Sequence, residues 1–553
     1  MTRTVGTRSR TDVLIVGAGP TGLTMANLLA HYGVDFRIVD KASGPTDQSR
    51  ALVVHARTLE LWDKLGLAEE ALRRGQKFEE VYPLINGRPL ASGLPILPLK
   101  EGGKGVTPYP FALVLEQSKT ERLLLDSLEG LGTGVEWDTE LLGMTSSEDG
   151  ATAIVQGPSG SDEEISAGWV VGADGANSLV RHFLGLGFEG STYKQSFFLA
   201  DMEMRWDLGH DRFYLDLVRE GMYSFFPMYG GDRFRLVATT PPEMEGKETI
   251  TLADIQKALD EHSGLDVQIT NLCWASVYKV HRRMTERFRV GRIFLAGDAA
   301  HIHSPSGGQG MNTGIGDAFN LAWKLALVAK GEAHPSLLDS YETERMPVAR
   351  TILNGTDRAF ELQSTAKPFL KSARLWVIRY APTLQAKLGL SKLIFKFMSQ
   401  TWIRYRKSPA VAQSGRAFKG PKAGDRTPYG LLNNGTSLYD LLGDTDHHLL
   451  FFEGLSRNPK RGVNEEEIKS LLARYVLPIG IHRIPPANRD LYERYGIEAP
   501  TLILIRPDGH VAYRGSATDL RDFATYLDGL FVRCKPEPPV SVLAIDKKKG
   551  YTG

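Results

Sequence analysis

The run Val13-Leu14-Ile15-Val16, entered from Asp12, has no polar face, the pattern of a strand buried on both sides. It leads into Gly17-Ala18-Gly19-Pro20-Thr21-Gly22, after which Leu23, Ala26, Leu29 and Ala30 recur at helical spacing. A second apolar strand, Phe36-Arg37-Ile38-Val39, ends at Asp40. Two further apolar strands, Trp169-Val170-Val171 and Arg292-Ile293-Phe294-Leu295, also end at glycine, in Gly172-Ala173-Asp174-Gly175 and Gly297-Asp298. Between them the pattern changes. Phe197 to Arg205, Met222 to Tyr229 and Arg233 to Ala238 read as strands, with Gly230-Gly231-Asp232 as a hairpin turn. Beyond residue 336 the spacing predicts helices over Leu337–Asn354 and Ala359–Thr401. From about Lys422 a new βαβαββα series begins: strands at His447–Phe452, Ile479–Ile484, Ala499–Ile505 and His510–Gly515, helices at Glu465–Arg474, Asp490–Tyr495 and Leu520–Phe531.

Composition narrows the class. The 553 residues are 42% hydrophobic, with 66 basic against 65 acidic side chains and a net charge of +1, as in a globular protein of about three domains. So even a balance offers no electrostatic case for nucleic acid or a charged membrane surface. Two cysteines, Cys273 and Cys534, exclude a disulfide framework and a cysteine-built metal site and suit a reducing, cytoplasmic setting. No apolar run is long enough to span a membrane, and the polar, basic amino terminus lacks the apolar stretch of a secretory signal.

The first glycine loop carries the clearest chemistry. Gly17 permits a tight turn, Gly19 lets the backbone approach a pyrophosphate, and Gly22 allows close helix–strand packing. Pro20 and Thr21 open a helix whose N-terminal amides favour phosphate. Asp40, 23 residues after Gly17, can accept ribose hydroxyls, with Lys41 beside it. A carboxylate there repels a 2′-phosphate, so the unit suits the adenosine of FAD or NAD. The run Gly185 to Gly190 also spells GxGxxG but follows a helical pattern, and is discounted. With no second strand–glycine–helix unit, a permanent NAD(P)H pocket is not expected.

Two distant segments go further: GADGANSLVR, from Gly172 to Arg181, and LAGDAAHIHSPSGGQGMN, from Leu295 to Asn312. In the second, a strand delivers Asp298 where a carboxylate can bond a ribityl hydroxyl. A glycine turn then opens a helix whose amides can face an anionic flavin. Together with GAGPTG, these segments resemble the class A FAD-dependent aromatic hydroxylases, such as phenol hydroxylase, pentachlorophenol monooxygenase and the aromatic polyketide oxygenases, over about residues 10 to 350.

The resemblance implies a GR2-type Rossmann-like FAD-binding fold over 11–80, 110–190 and 286–350. It implies an antiparallel substrate-binding sheet over 81–109 and 191–285, a helical connection over 351–410, and a thioredoxin-like α/β domain over 422–534. It places Asp298, Gly308, Gly310, Met311 and Asn312 on the flavin, and Arg50 and Gln117 as a flavin-contacting arginine and a ribityl-binding glutamine. Asp174 becomes a bridge between FAD and the passage of NAD(P)H, Arg181 a structural or nicotinamide-side contact, and the Pro305 carbonyl lies over the substrate side of the ring. NADPH or NADH would reduce the flavin, O2 would add to give a C4a-hydroperoxide, and an electron-rich, usually phenolic, ring would be hydroxylated. A homodimer is a further expectation of the resemblance.

On the sheet, Asp201, Tyr214, Phe226, Met228 and Tyr229 are candidates for the substrate face, although alternation alone leaves the aromatics equally readable as core. Leu52 stands where phenol hydroxylase has an aspartate that assists deprotonation. Another base, water with the Pro305 carbonyl, or a substrate needing no phenolate remain open. His301 and His303, two apart on a loop with no third clustered ligand, read as packing residues and not as a metal site. The last domain has no CxxC and so no thioredoxin chemistry, which leaves a structural or dimer-supporting role. Rival functions are a polyketide-tailoring epoxidase or Baeyer–Villiger oxygenase, a flavin halogenase or prenyl reductase, and a catalytically idle flavin sensor.

Overall fold

The computed structural model describes residues 7–47, 51–218, 221–247, 249–304, 307–364, 379–415, 419–455 and 465–534. The expected strands assemble into a parallel core. Phe36–Val39, Thr7–Val16, Asp162–Gly172 and Ile293–Leu295 lie side by side in that order, all parallel. Val13, Leu14, Ile15, Val170, Val171, Phe294 and Leu295 are fully buried, which is why their runs carry no polar face. Helix Pro20–His31 packs on Gln117–Gly130 and Gly310–Ala329. Asn27 on the first donates from Nδ2 to the Leu124 carbonyl on the second at 2.9 Å.

A second sheet has nine strands. Its order runs from His301–Ile302 through Val267–Met284, Glu189–Trp206, Arg233–Thr239, Gly221–Pro227 and Phe213–Val218 to Glu80–Ile85. As expected, the sheet is mostly antiparallel. It contains one parallel pair, Phe213–Val218 with Glu80–Ile85, because the latter strand arrives from an earlier part of the chain. Its two faces are both buried. One face, with Phe198, Ala200, Met202, Tyr223 and Phe225, is covered by helix Leu252–Ala258 through Ile255 and Ala258. The other, with Phe197, Leu217, Met222 and Met228, packs on Leu52, Val53 and Ala56 next to the parallel sheet.

The long helix expected over Ala359–Thr401 is not continuous. Asp339–Ser364 is one helix, residues 365–378 lie outside the described residues, and the helical residues 379–388 are separate from helix Ser391–Met398. Gly389, at φ +64°, breaks the last pair, a conformation that costs glycine little.

The carboxyl-terminal elements follow the expected order as a five-stranded sheet, Ala412–Gln413, Val511–Ser516, Thr501–Ile505, His447–Phe452 and Ile479–Ile484. Leu449 and Phe451 face one cluster and Leu450 and Phe452 another, the period of two that a strand buried on both sides requires. The first cluster includes Trp323 and Leu327 of helix Gly310–Ala329, so the last unit shares core with the first.

Beside this shared core lies buried charge that the sequence pattern did not announce. Glu344 accepts from Arg506 at 2.7 and 2.8 Å, from Lys324 at 2.8 Å and from Ser408 and Asn320 at 2.5 Å. Arg506 also pairs with Asp508, whose carbonyl accepts from Arg57. Glu60 pairs with Arg57 at 2.9 Å and with Arg426. Burial opposes ionisation of Glu344, yet Arg506 and Lys324 hold its carboxyl at about 2.

Candidate flavin site

The three glycine-bearing strand ends meet. The Gly17 amide donates to the Val39 carbonyl at 2.8 Å, Ala173 to Val16 at 2.8 Å, and Ala296 to Gly172 at 3.0 Å. The glycines are pinned by contact. A β-carbon on Gly17 (φ +103°) would overlap the Ala173 carbonyl, and one on Gly22 the Gly17 carbonyl. One on Gly19 would meet no protein atom within 4 Å, so the loop forms a cradle there at the start of helix Pro20–His31. Asp40 lies beside it, accepting from the amides of Ala18 at 2.6 Å and Ala42 at 2.9 Å, while Lys41 is exposed.

Thr21 joins the first motif to the third. Its side chain fills the space that β-carbons on Gly297 and Gly314 would need, so the turn Gly297–Ala299 carrying Asp298 lies against the same helix. Helix Gly310–Ala329 then begins at Gly310, with Met311 packed on the main core and its first amides turned toward the glycine turn. Gly308 (φ +61°) sits against Val53 with no room for a side chain.

Asn312 is placed differently from expectation. Its Nδ2 donates to the carbonyls of Val53 and Gly308, both at 2.8 Å, and its Oδ1 accepts from the His55 amide at 2.8 Å and Thr58 Oγ1 at 2.7 Å. An amide side chain has two donor hydrogens and two acceptor positions, so none is left for a flavin. Asn312 holds the glycine turn, and only its backbone remains for a cofactor.

His55 and Asp317 were not singled out, yet both hold the site. His55 Nε2 donates to the Gly307 carbonyl at 2.7 Å. Asp317 accepts from the Gly297 amide at 3.0 Å, His301 Nε2 at 2.9 Å and Arg345 Nε at 2.6 Å. A carboxylate inside the apolar run Ile315 to Phe319 was the available signal, because such a group is buried only with partners. His301 is thereby a packing residue, stacked on Phe288.

Burial pushes His55 down to about 4, and His303 likewise. A histidine with a depressed folded pKa takes up protons on unfolding, so its stabilisation is full above about 6.5 and is lost as pH falls toward 4. For His55 alone this amounts to about 3 kcal/mol. The expected result is a melting temperature that is level above pH 7 and drops between pH 6.5 and 4. A level profile down to pH 4 would contradict the buried, neutral His55.

Other candidates are placed as follows. Asp174, which burial raises, accepts from Ser178 Oγ at 2.5 Å and from the Leu179 amide at 2.7 Å. It therefore ties down the start of helix Leu179–Phe183. Arg181 is structural, donating to the carbonyls of Ala299 and Ala176, both at 2.8 Å. Gln117 accepts from the Ala51 amide at 3.2 Å and donates to Glu121 at 2.9 Å. Arg50 and Pro305 lie outside the described residues.

Of the sheet candidates, Phe226 and Met228 lie on the face toward Leu52 and Val53, with Phe226 stacked on Phe213 at 4.2 Å. Asp201 shares that face but is bonded to Arg235 at 2.5 and 2.6 Å, its partner directly across the strands. Tyr214 is on the opposite face, packed on Trp206 at 5.1 Å, since its register pairs it with Phe225. Tyr229 is exposed at the turn, with Lys119 over its ring. Tyr214 thus lies on the face away from Leu52 and Val53.

The cradle at Gly19, the Asp40 carboxylate and the Gly310 helix start together fit an extended dinucleotide. A family model described as FAD binding domain matches residues 10–356. The chain belongs to this family of flavin-dependent monooxygenases. Over 510 residues it is 35% identical to a flavin-dependent monooxygenase of Mycobacteroides abscessus, covering 90% of this chain and 96% of that one. It is 33% identical over 543 residues to the 6-methylpretetramide 4-monooxygenase of Streptomyces rimosus, covering 94% and 93%. Among solved structures, aklavinone-11 hydroxylase with FAD and aklavinone superposes with a TM-score of 0.73 at 28% identity, covering 94% of this chain and 98% of that one. The flavoenzyme's cofactor is FAD, and NAD(P)H is the reductant typical of the family.

Proposed function

We propose that this flavoenzyme hydroxylates an electron-rich, fused-ring phenol, with NADPH as electron donor. The observation that carries the reading is the sheet face turned toward Leu52 and Val53, where Phe197, Met222, Phe226 and Met228 offer flat apolar contact beside the flavin cleft. On this face Asp201 is committed to Arg235, and the Leu52 position is apolar. Both features support a substrate that is acidic enough to need no dedicated base. The names of the two relatives that act on polyketide rings point the same way.

Bound FAD, once reduced by NADPH, would activate O2, one oxygen atom going to the ring and the other leaving as water. The chain's own groups are proposed to hold and shield it. Gly19 and the first amides of helix Pro20–His31 would take the pyrophosphate, with Asp40 on the adenosine ribose and Asp298 on the ribityl chain. The backbone from Gly308 to Asn312 would face the ring. The apolar sheet face excludes water from the reacting atoms. The carboxyl-terminal unit, thioredoxin-like in element order but without paired thiols, would brace helix Gly310–Ala329.

The test is NADPH oxidation across simple phenols, hydroxybenzoates and fused-ring phenols, with product mass. Fused-ring phenols should stimulate oxidation at least tenfold above background (about 1.4 kcal/mol of barrier) and gain one oxygen. Ring cleavage or epoxide products would favour the polyketide-tailoring alternative. Stimulation by no aromatic compound would overturn the reading in favour of a flavin sensor.

A further inference from the structure

The even overall charge conceals a local excess. Residues 379–407 carry seven Lys and Arg and no Asp or Glu. Within this stretch the helix at 379–388 packs inside out. It buries Pro382 and Gln385, the latter 6% exposed, while Leu384 and Leu388, one turn apart, face outward with Leu388 60% exposed. Leu390 and Leu393 continue the outward apolar surface, Leu393 being 67% exposed. Arg379, Lys387 and Lys392 are exposed between these leucines. A single exposed leucine needs no explanation, but a leucine stripe interleaved with cations is the pattern of a helix lying in a membrane interface. On the neighbouring segment Leu99–Gly103, Glu101 accepts a long hydrogen bond from the Ser391 hydroxyl at 3.5 Å.

The inner side of the same hairpin reaches the candidate site. Phe395, two residues past Leu393, is 1% exposed and belongs to the cluster of Leu52, Val53, Met222 and Met228. Met398 lies against Gly307 of the glycine turn. One helix thickness therefore separates the leucine stripe from the apolar sheet face.

We propose that the outward face of residues 379–393 docks on a bilayer bearing anionic phospholipid, with the leucines in the acyl boundary and the three cations on the headgroups. Charge selects this occupant over a second copy of the chain. A two-fold contact would turn this cation-bearing face, with Arg379, Lys387 and Lys392, onto a second copy of itself, whereas an anionic leaflet complements it. Resting on the functional reading above, the placement gives an apolar ring a path from lipid into the site. It revises the expectation, drawn from the even net charge, that a charged membrane surface plays no part.

The test is flotation of the flavin-loaded full chain with phosphatidylcholine vesicles, with or without about one third phosphatidylglycerol. The protein should float only with the anionic vesicles, and less so as salt rises. Lys387→Glu with Lys392→Glu should cut partitioning about tenfold or more, and Leu388→Ser with Leu393→Ser by a similar factor. Both variants should keep their FAD absorbance and their NADPH oxidation with a water-soluble phenol. Absence of flotation at low salt, or equal flotation of the charge-reversed protein, overturns the proposal. So does a concentration-dependent dimer that Leu388→Ser with Leu393→Ser dissolves while vesicles bind nothing, since the face would then meet a second copy. Vesicle binding without aromatic-stimulated NADPH oxidation leaves the surface standing and sinks the functional reading instead.

Discussion

Gly19→Val yields a folded protein that purifies without flavin. The added side chain would meet no protein atom within 4 Å of its β-carbon, so the apoprotein should melt within about a degree of the parent. The space it enters is where the start of helix Pro20–His31 offers its amides to phosphate. Holding a pyrophosphate a bond length farther away loses several charge-assisted hydrogen bonds, each worth about 1.5–3 kcal/mol, and FAD affinity should fall more than about a hundredfold. Gly22→Val is the contrasting control. Its β-carbon overlaps the Gly17 carbonyl, so the helix must move and both stability and FAD binding should suffer. Absorbance of the purified proteins and melting of the apoproteins separate the two effects. A Gly19→Val protein with its full complement of FAD would remove the glycine loop from the cofactor.

Arg506→Met should cost about 3–5 kcal/mol of stability, the largest loss expected from a residue remote from the flavin. Arg506 is fully buried and bonds both Glu344 and Asp508. Removing it leaves Lys324 as the one cation on Glu344, beside the neutral donors Ser408 and Asn320, and leaves Asp508, whose carboxyl Arg506 holds well below its usual range against the cost of burial, with His510 and Asn320. The same network joins helix Gly310–Ala329 to the carboxyl-terminal sheet, so flavin should be released at a lower temperature as well. Replacing Glu344 and Arg506 together by Met should cost less than the sum of the single changes, since no uncompensated charge from that pair remains. Denaturant titration with flavin fluorescence measures both. A loss under about 1 kcal/mol would show that the buried charges are solvated or relax freely.

The chemistry-bearing glycines were readable because each reports a local backbone demand. Gly17, Gly22 and Gly297 stand where a β-carbon has no place, and a strand–glycine–helix pattern carries that demand openly. Side-chain roles were less readable. Asp174 and Asn312 sit inside recognisable motifs, yet one caps a helix and the other ties the glycine turn to Val53, His55 and Thr58. A motif records that a polar group is needed and not which neighbour takes it. Similarly, the spacing beyond residue 359 is helical throughout, but only the packed structure reveals the break at Gly389 and the leucines left outside it.

Read alone, the amino-acid order was enough for the parallel strands, the glycine turns, the dinucleotide cradle and the carboxyl-terminal element series. All of these arise from contacts within a few residues and from the periods of two and 3.6. Folding in three dimensions decided which sheet face packs on Leu52 and Val53, putting Phe226 and Met228 on it and Tyr214 behind. It also decided that Asp201 is spent on Arg235 and that Glu344, Arg506 and Asp508 share one buried network. These partners come from distant parts of the chain. Burial makes their pairing compulsory, and only the packed fold determines who pairs with whom.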